Sequence, residues 1–416
     1  MAGSRALGRG FGWLWAAYGA STLGTWLAFD AFPLIAIIVL HAGPARVSAL
    51  AAAGLAVGAA VAMPLGPWVE FRRKRPVMVA MDLVRFAALL SVPVAYALGL
   101  LGFVQLLAVS VVVAASDITF KAAAGACLKS LVRPEDLLVA NSRFESTTWT
   151  ASVLGPPLGG VAIGVLGPVT TVLANAVSFL LSAAGIRAIG GKEPQPVRTG
   201  ATRPRAGDLL EGWRYILAHR ALRTLFFNTV LNNGLIMATA PVLAALMLGD
   251  LGFAPWQYGL AFGTACLGGL LGSRLAGPLV TRFGQRKVML AAGTLRACWS
   301  FALAFIRPGI PGLMLVIAVE FGLIACSGVF NPVFATYRLA RTENDRVART
   351  LSAWSVTSSA TIAALTGLWG LLAGAAGPRT ALAVAGVLLL ATPLLLPWRD
   401  RDGTAPHERD LATKSA

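Results

Sequence analysis

Two acids stand where acids are rare. Asp30 lies inside the apolar run LGTWLAFDAFPL and Glu320 inside VIAVEFGLIACSG. A charged side chain near the centre of a bilayer costs about 2.5–3.5 kcal/mol on insertion scales, so such groups turn toward water-filled cavities or polar partners. A carboxyl there can take up and release a proton, or attract a cationic ligand. A quieter role is open to each: Asp30 reaching the outer boundary or bonding Thr or Trp neighbours, and Glu320 serving a polar group on a neighbouring helix.

Other polar residues fall in apolar segments. Asp117 and Lys121 are four apart in one such segment, so on a helix they can neutralise each other and lower the cost of burying both. This reads first as an intramembrane ion pair, with a gating role as the alternative. Asp82 and Arg85 are one helical turn apart, and Arg296 is a second intramembrane arginine. Asn228, Asn232 and Asn233 share one segment; cavity contact and helix–helix bonding fit them equally. Trp26, Tyr18, Trp149 and Phe226 could form aromatic walls for an amphipathic ligand, although core or lipid-facing positions are commoner for such residues. The sequence has no phosphate-binding loop, metal-ligand spacing or nucleophile constellation. The three histidines are singles near loops or in the tail. An enzyme, an ATP-driven pump and a metal or other cofactor are therefore not expected.

The elements that must hold these residues are membrane helices. The 416-residue chain is 56% hydrophobic and only 13% charged, with mean hydropathy +0.72; soluble domains are about 25% charged. Apolar runs repeatedly reach the ~20 residues that cross a bilayer. Twelve spans are expected, at 11–40, 47–69, 76–100, 103–127, 142–165, 169–189, 222–248, 257–280, 288–306, 313–337, 350–374 and 380–397. Gly, Pro and charge punctuate them. Short alternating strands of a membrane barrel are absent. The first apolar run is too long for a signal-peptide core, so no cleaved leader is expected. Cys127, Cys266, Cys298 and Cys326 have no paired spacing.

The net charge of +17 sits in short loops and sets topology rather than binding nucleic acid. Of 35 Lys and Arg, 28 fall in the two tails and on alternate loops of one face, and three (Arg46, Arg307, Arg379) on the other. Both termini are expected in the cytoplasm. Residues 190–221 form the only long polar connection. It is Pro/Gly/Arg-rich at first; from Asp208 it reads as a short amphipathic helix with Leu209, Leu210, Trp213, Ile216 and Leu217 on one face.

The chain also repeats itself. GPWVEFRRKRPVMVAMDLVR at 66–85 returns ungapped as GPLVTRFGQRKVMLAAGTLR at 277–296, identical at eight of twenty positions with an offset of 211. Two like-oriented halves are implied, each with a basic loop at the same place, as in alternating-access transporters. Asp30 and Glu320 then lie at similar depth in opposite halves. Arg85 and Arg296 are repeat equivalents, whereas Asp82 corresponds to Gly293. Asp82, Glu70 and the loop basics suggest a charge network confined to the first half, able to latch the cytoplasmic side against the start of the eleventh span near Arg349 and Thr350. Loop anchoring is the plainer reading.

The loop after the second span resembles the signature of the major facilitator superfamily, Gly-x-x-x-Asp-Arg-x-Gly-Arg/Lys-Arg/Lys. Gly66 matches, Glu70 replaces the acid, and Lys74 and Arg75 match the basic pair, while Phe71 and Arg73 depart from it. The second copy keeps Gly277, Arg282, Gly284, Arg286 and Lys287 but has Thr281 at the acid position. A narrower resemblance is to the bacterial macrolide-efflux and siderophore-exporter branch. It rests on DLVR at 82–85, LVRPEDLLVANS at 131–142, LGPPLGG at 154–160, NAVSF at 175–179 and DLLEGWRYILAHRALR at 208–223, and, less closely, on RTENDRV at 341–347. Gly155, Pro156, Pro157, Gly159 and Gly160 resemble the antiporter motif of the fifth span, small residues that allow close helix approach and prolines that allow a bend.

The resemblance implies an all-α integral membrane protein of the major facilitator fold, with twelve helices in two six-helix bundles around a central cavity. The bundles are expected at 1–189 and 222–397, joined by a cytoplasmic linker at 190–221 and followed by a tail at 398–416. It implies export of amphipathic small molecules coupled to proton entry, by a monomer in a bacterial inner membrane. Uptake, facilitated diffusion and a non-transporting receptor or scaffold are the rival functions. The cavity residues expected are Asp30, Glu320, Asn232, Asn233, Trp26 and Trp149.

Overall fold

The computed structural model describes residues 7–28, 31–41, 50, 54, 56–70, 72–191, 193 and 210–398. Asp30, Arg46, Phe71, Asp208, Leu209 and the tail after Trp398 lie outside the described residues. The first span comprises α1 (Arg9–Leu27) and α2 (Ala31–Leu34), which runs into a π-helical turn at Ile35–Val39. α3 (Leu65–Glu70) ends the second span. α4 (Lys74–Ala97), α5 (Phe103–Leu131), α6 (Leu137–Leu166) and α7 (Pro168–Arg187) complete the first half. α8 (Glu211–Ala218) lies in the linker. α9 (Arg220–Ala245), α10 (Pro255–Phe283), α11 (Gln285–Cys298), α12 (Ile310–Arg341), α13 (Val347–Ala376) and α14 (Pro378–Ala391) form the second half.

Among the described residues, eleven helical stretches are long and apolar enough to cross a membrane, with mean hydropathies of 1.2–2.3 over their best windows. Helix is the form that satisfies every backbone N–H and C=O within one segment in hydrocarbon. The remaining expected span, the second at 47–69, falls partly outside the described residues; its described end is α3.

The repeat seen in the loops extends into the backbone. A π-helical turn at Leu246–Asp250 follows α9, at an offset of 211 from the turn at Ile35–Val39. The corners α6–α7 and α13–α14 are Gly167-Pro168 and Gly377-Pro378, with φ of +82° and +86° at the glycines. That left-handed geometry is cheap only for glycine, and proline suits the first position of the helix that follows.

Within the first half α1 packs on α6 and α7, and α4 on α5 and α7. In the second, α10 and α11 pack on α12, and α9 packs on α13 and α14. The halves meet where α6 touches α10 and α12, and where α13 touches α3 and α5. One buried apolar cluster crosses that boundary, joining Leu14, Phe120, Leu128 and Leu137 to Leu339, Val347 and Leu351. Lipid is as apolar as leucine, so close van der Waals fit rather than water exclusion holds such helices together. Glycine supplies that fit between α10 and α12: a Cβ at Gly272 would meet the Ala325 carbonyl oxygen at 2.1 Å, and one at Gly328 the Gly269 oxygen at 2.4 Å.

The linker helix keeps part of the expected face: Ile216 is buried and Trp213 packs against the same apolar cluster. Its buried side is Gly212, Tyr215 and Ile216, while Leu210 and Leu217 are 50% and 42% exposed. α8 docks on α13 through its glycine: a Cβ on Gly212 would lie 2.6 Å from the Arg349 carbonyl oxygen. The Trp213 indole N–H donates to the Thr357 hydroxyl at 2.9 Å. A backbone-to-backbone approach, rather than the leucine stripe, sets the orientation.

Candidate functional site

The repeated basic loops are structural clamps. Arg75 donates to the carbonyls of Ile189, Gly190 and Gly191 at 3.0–3.1 Å, gripping the chain as it leaves α7. Its repeat equivalent Arg286 donates to the Trp398 carbonyl at 2.6 Å, beyond the last helix of the second half. Lys74 caps the end of α3 through the carbonyls of Val69, Glu70 and Arg72, at 2.6–3.0 Å, where a cation complements the helix dipole. The Glu193 carboxylate in turn accepts the backbone N–H groups of Lys74 and Arg75 that open α4. Gly284 has φ +85° at the start of α11, whereas Arg73, at the matching place, has an ordinary φ of −61°. This is why the first copy tolerates arginine where the signature has glycine. Gly66 lies within α3 and Gly277 within α10, with nothing within 4 Å of a Cβ on Gly277. Arg282 stacks on Phe283, and Lys287 is exposed.

Glu70 reaches across the halves. Its carboxylate pairs with the Arg349 guanidinium at 2.5 Å, with both side chains largely buried. Arg349 also pairs with Glu211 of α8, so one guanidinium ties the first half, the second half and the linker. Asp82 does not join this latch. It is fully buried against Arg85, which lies between the rings of Phe120 and Phe179 at 4.6 and 4.1 Å. Arg85 also reaches Asp117 at 3.3 Å, and Lys121 pairs with Asp117 at 2.7 Å. The expected Asp117–Lys121 pair is thus one end of a four-member chain whose charges cancel. In the second half Arg296 lies 3.6 Å over the Phe330 ring and donates to the Asn228 side-chain oxygen at 2.6 Å. Phe330 and Leu396 occupy the space beside Gly293, where Asp82 stands in the first half.

Between the halves is a cavity of about 640 Å³, within the ~300–1,000 Å³ of small-molecule sites. Trp26, Tyr18, Arg85, Asp117 and Lys121 line it from the first half, and Arg338 from the second. Of the residues expected there, Trp26 is present. Trp149 is one step behind: its indole donates to Glu145, which does line the cavity, at 3.0 Å, and its ring fills the space beside Gly269. Three others are not among the residues that line this cavity. Asn232 is buried at a helix contact, accepting from the Thr392 hydroxyl at 3.5 Å; Asn233 is exposed and away from the cavity wall. Glu320 is not among the lining residues; Tyr258 of α10 is the titratable group near it. Phe226 packs edge-on against Trp354 in the core.

Two charged residues of the cavity are not singled out by the sequence. Glu145 sits early in the fifth span, four residues before Trp149, a spacing that could have flagged it. Arg338 stacks on Phe334 and Trp354 at 4.9 and 5.0 Å; it looks like an ordinary loop-flanking base because it falls at a span end.

On one side of the cavity the halves are bonded to each other. Lys129 donates to the Thr342 carbonyl. The Asn141 amide donates to Thr336 at 3.0 Å, Ser146 and Ser273 share a proton contact at 2.8 Å, and the Asn331 amide donates to Glu145 at 2.8 Å. With Glu70–Arg349, these contacts gather on the side of the basic loops. A two-bundle molecule with a charged cavity, its halves bonded at the face where the repeated loops lie, has the architecture of a membrane transporter, and the sequence profile of the Major Facilitator Superfamily matches residues 14–242 and 225–415.

The chain belongs to the major facilitator superfamily. It is 28% identical over 280 residues to the multidrug efflux pump Tap of Mycobacterium tuberculosis, covering 65% of this chain and 64% of that one. Against the pump Tap of Mycolicibacterium fortuitum it is 26% identical over 325 residues, covering 76% of each. The match therefore spans under two thirds of the mycobacterial pump's length. Among solved structures, a bacterial homologue of the iron transporter ferroportin in an outward-facing state superposes with TM-score 0.76 at 17% identity, covering 92% of this chain and 98% of the other. The human organic anion transporter MFSD10 gives 0.71 at 14%, covering 93% and 98%. At those identities the likeness is one of fold.

Proposed function

We propose that this superfamily member is a proton-coupled exporter of amphipathic small molecules, working by alternating access in a bacterial cytoplasmic membrane. Residues 1–189 and 222–397 are the two moving bundles, 190–221 the linker and 398–416 the tail, and the basic-loop face is cytoplasmic. The observation that carries the reading is the cavity between the halves, walled by aromatic rings and charged groups, with the halves bonded to each other toward the basic loops by polar contacts. The Tap relatives, described as multidrug efflux pumps, point the same way. Asp30 remains the proposed proton carrier, in the first span a few residues past cavity-lining Trp26; Glu320, which is not among the residues lining this cavity, is proposed only as a secondary partner. The exporter acts as a monomer, its cargo held by Trp26, Tyr18 and the charged wall. Protonation changes the relative stability of the two states, which is the only way a ligand can drive a conformational exchange.

Accessibility tests alternating access. On a background lacking Cys127, Cys266, Cys298 and Cys326, a cysteine at cavity-lining Ala124 or Thr22 should react with a hydrophilic thiol reagent. Glu70→Gln should raise the rate of labelling from the cytoplasmic side. Losing one charged partner from Arg349, with Glu211 retained, shifts the equilibrium by about 1–2 kcal/mol, roughly 5- to 30-fold. A cavity cysteine that no reagent reaches from either side would favour a receptor or scaffold.

A further inference from the structure

Four α6 residues, Asn141, Glu145, Ser146 and Trp149, face the second half along little more than two turns. Three of them, Asn141, Glu145 and Trp149, are at four-residue spacing and so lie on one helical stripe. Each touches a different residue across the boundary: Thr336, Asn331, Ser273 and Gly269 in turn. Within this row Glu145 is the one ionisable side chain. A single carboxylate oxygen, Oε1, accepts both the Asn331 amide from α12 at 2.8 Å and the Trp149 indole from its own helix at 3.0 Å. The contact therefore fixes the indole against α10 as well as holding α12. Glu145 also lines the cavity, so water and protons entering it reach this carboxylate.

We infer that Glu145 is the proton-sensitive clasp of the cytoplasmic seal: ionised it holds the two halves together, and protonated it lets them part. The inference rests on the proton-coupled exporter reading and assigns a second proton site within it. The physical basis is the acceptor strength of the two forms. A carboxylate accepts charge-assisted N–H bonds about twice as strong as those to a neutral group. Protonation leaves Oε1 a weak carbonyl or turns it into a donor facing two donors. In the sealed state a proton arriving through the cavity binds Glu145, the Asn331 and Trp149 bonds weaken, and the cytoplasmic side opens. Release of the proton to the cytoplasm restores the carboxylate and reseals the halves. That order carries protons inward, the direction an exporter needs.

Other groups facing Glu145 set its background rather than replace it. α1 presents Tyr18, whose hydroxyl shares a 2.7 Å contact with Thr148. α5 presents the Asp117–Lys121 pair, already internally neutral, and α12 presents Arg338 over its two rings. α10 offers Ser273 and Gly269, which do not titrate there. No base lies within ion-pair distance of Glu145 among the described residues, so its two N–H bonds are its stabilising partners.

The experiment is a pH series of spin-label distances across the seal. Labels go on Glu135→Cys and Asn344→Cys, exposed positions in opposite halves on the basic side, in the Cys-free full-length chain in lipid nanodiscs. The parent should move from a short to a long distance as pH falls. Glu145→Gln should hold the long-distance population at every pH, raised roughly tenfold over the parent at alkaline pH; tenfold corresponds to about 1.4 kcal/mol. Asn331→Ala should behave likewise without changing an ionisable group, which guards against a folding defect peculiar to position 145. Glu145→Asp should restore a pH response, and Glu70→Gln should shift the populations while keeping one. A Glu145→Gln protein that keeps the parent's pH response overturns the assignment to Glu145. A parent with no pH response and no gradient-driven transport overturns the exporter reading beneath it.

Discussion

Arg85→Ala is expected to cost about 3–5 kcal/mol, the penalty for removing one member of a buried ion pair. Asp82 has no exposure at all, and Arg85 is its ion-pair partner. Truncation strands that carboxylate between α4 and its neighbours, empties the slot between Phe120 and Phe179, and frees Asp117 to pair with Lys121 alone. The measurement is the thermal unfolding midpoint of purified protein in detergent. Arg296→Ala should cost less, because that arginine is bonded to neutral Asn228 and a ring rather than to an acid. An Asp82→Leu/Arg85→Met double variant removes both charges and should recover most of the lost stability, since apolar replacement of a buried pair is often neutral or better. Equal losses for Arg85→Ala and Arg296→Ala would show that Asp82 is not held by charge.

Gly159→Val is expected to damage the first half by a different route. A Cβ at Gly159 would lie 2.1 Å from the Leu27 carbonyl oxygen. The obstacle is backbone, which cannot rotate aside, so α1 must move off α6. Overpacking of this kind costs about 1–3 kcal/mol, occasionally more. Trp26, whose Cβ sits 2.4 Å from the position a Gly155 Cβ would take, moves with α1 and carries part of the cavity wall. Transport should fall even in the fraction that remains folded. Gly160→Val is the control: nothing lies within 4 Å of its Cβ, so it should unfold with the parent. The glycine-proline motif thus divides into two residues that pack, Gly155 and Gly159, and one that does not.

Much of this was legible in the chain. The 211-residue repeat and the charge bias of the loops imply two halves with matching loops, and the corners and π-helical turns fall at repeat-related places. The Asp117–Lys121 and Asp82–Arg85 pairs are visible because partners three or four apart share a helix face. What was hidden depended on residues distant in sequence. Asn331, which gives Glu145 its place across the halves, is 186 positions away. Nothing local tells Asn232, at a helix contact with Thr392, from a cavity asparagine. The face of α8 is legible at Trp213 and Ile216 but not at Gly212, because a glycine contact is invisible to a hydrophobic pattern. Loop anchoring is legible for Arg75 and Arg286 in kind only; the carbonyls they hold, Ile189 and Trp398, are 114 and 112 positions away.

The central claim is that a proton gradient drives cargo out through the cavity between the halves. Its most direct test is transport in proteoliposomes of a panel of amphipathic dyes and antibiotics, with and without an imposed pH gradient, for the parent and Asp30→Asn. The account predicts gradient-driven movement of at least one compound by the parent and its loss in Asp30→Asn, with gradient-independent exchange of that compound partly retained. Transport that ignores the gradient, or an Asp30→Asn protein that pumps as the parent does, would contradict it.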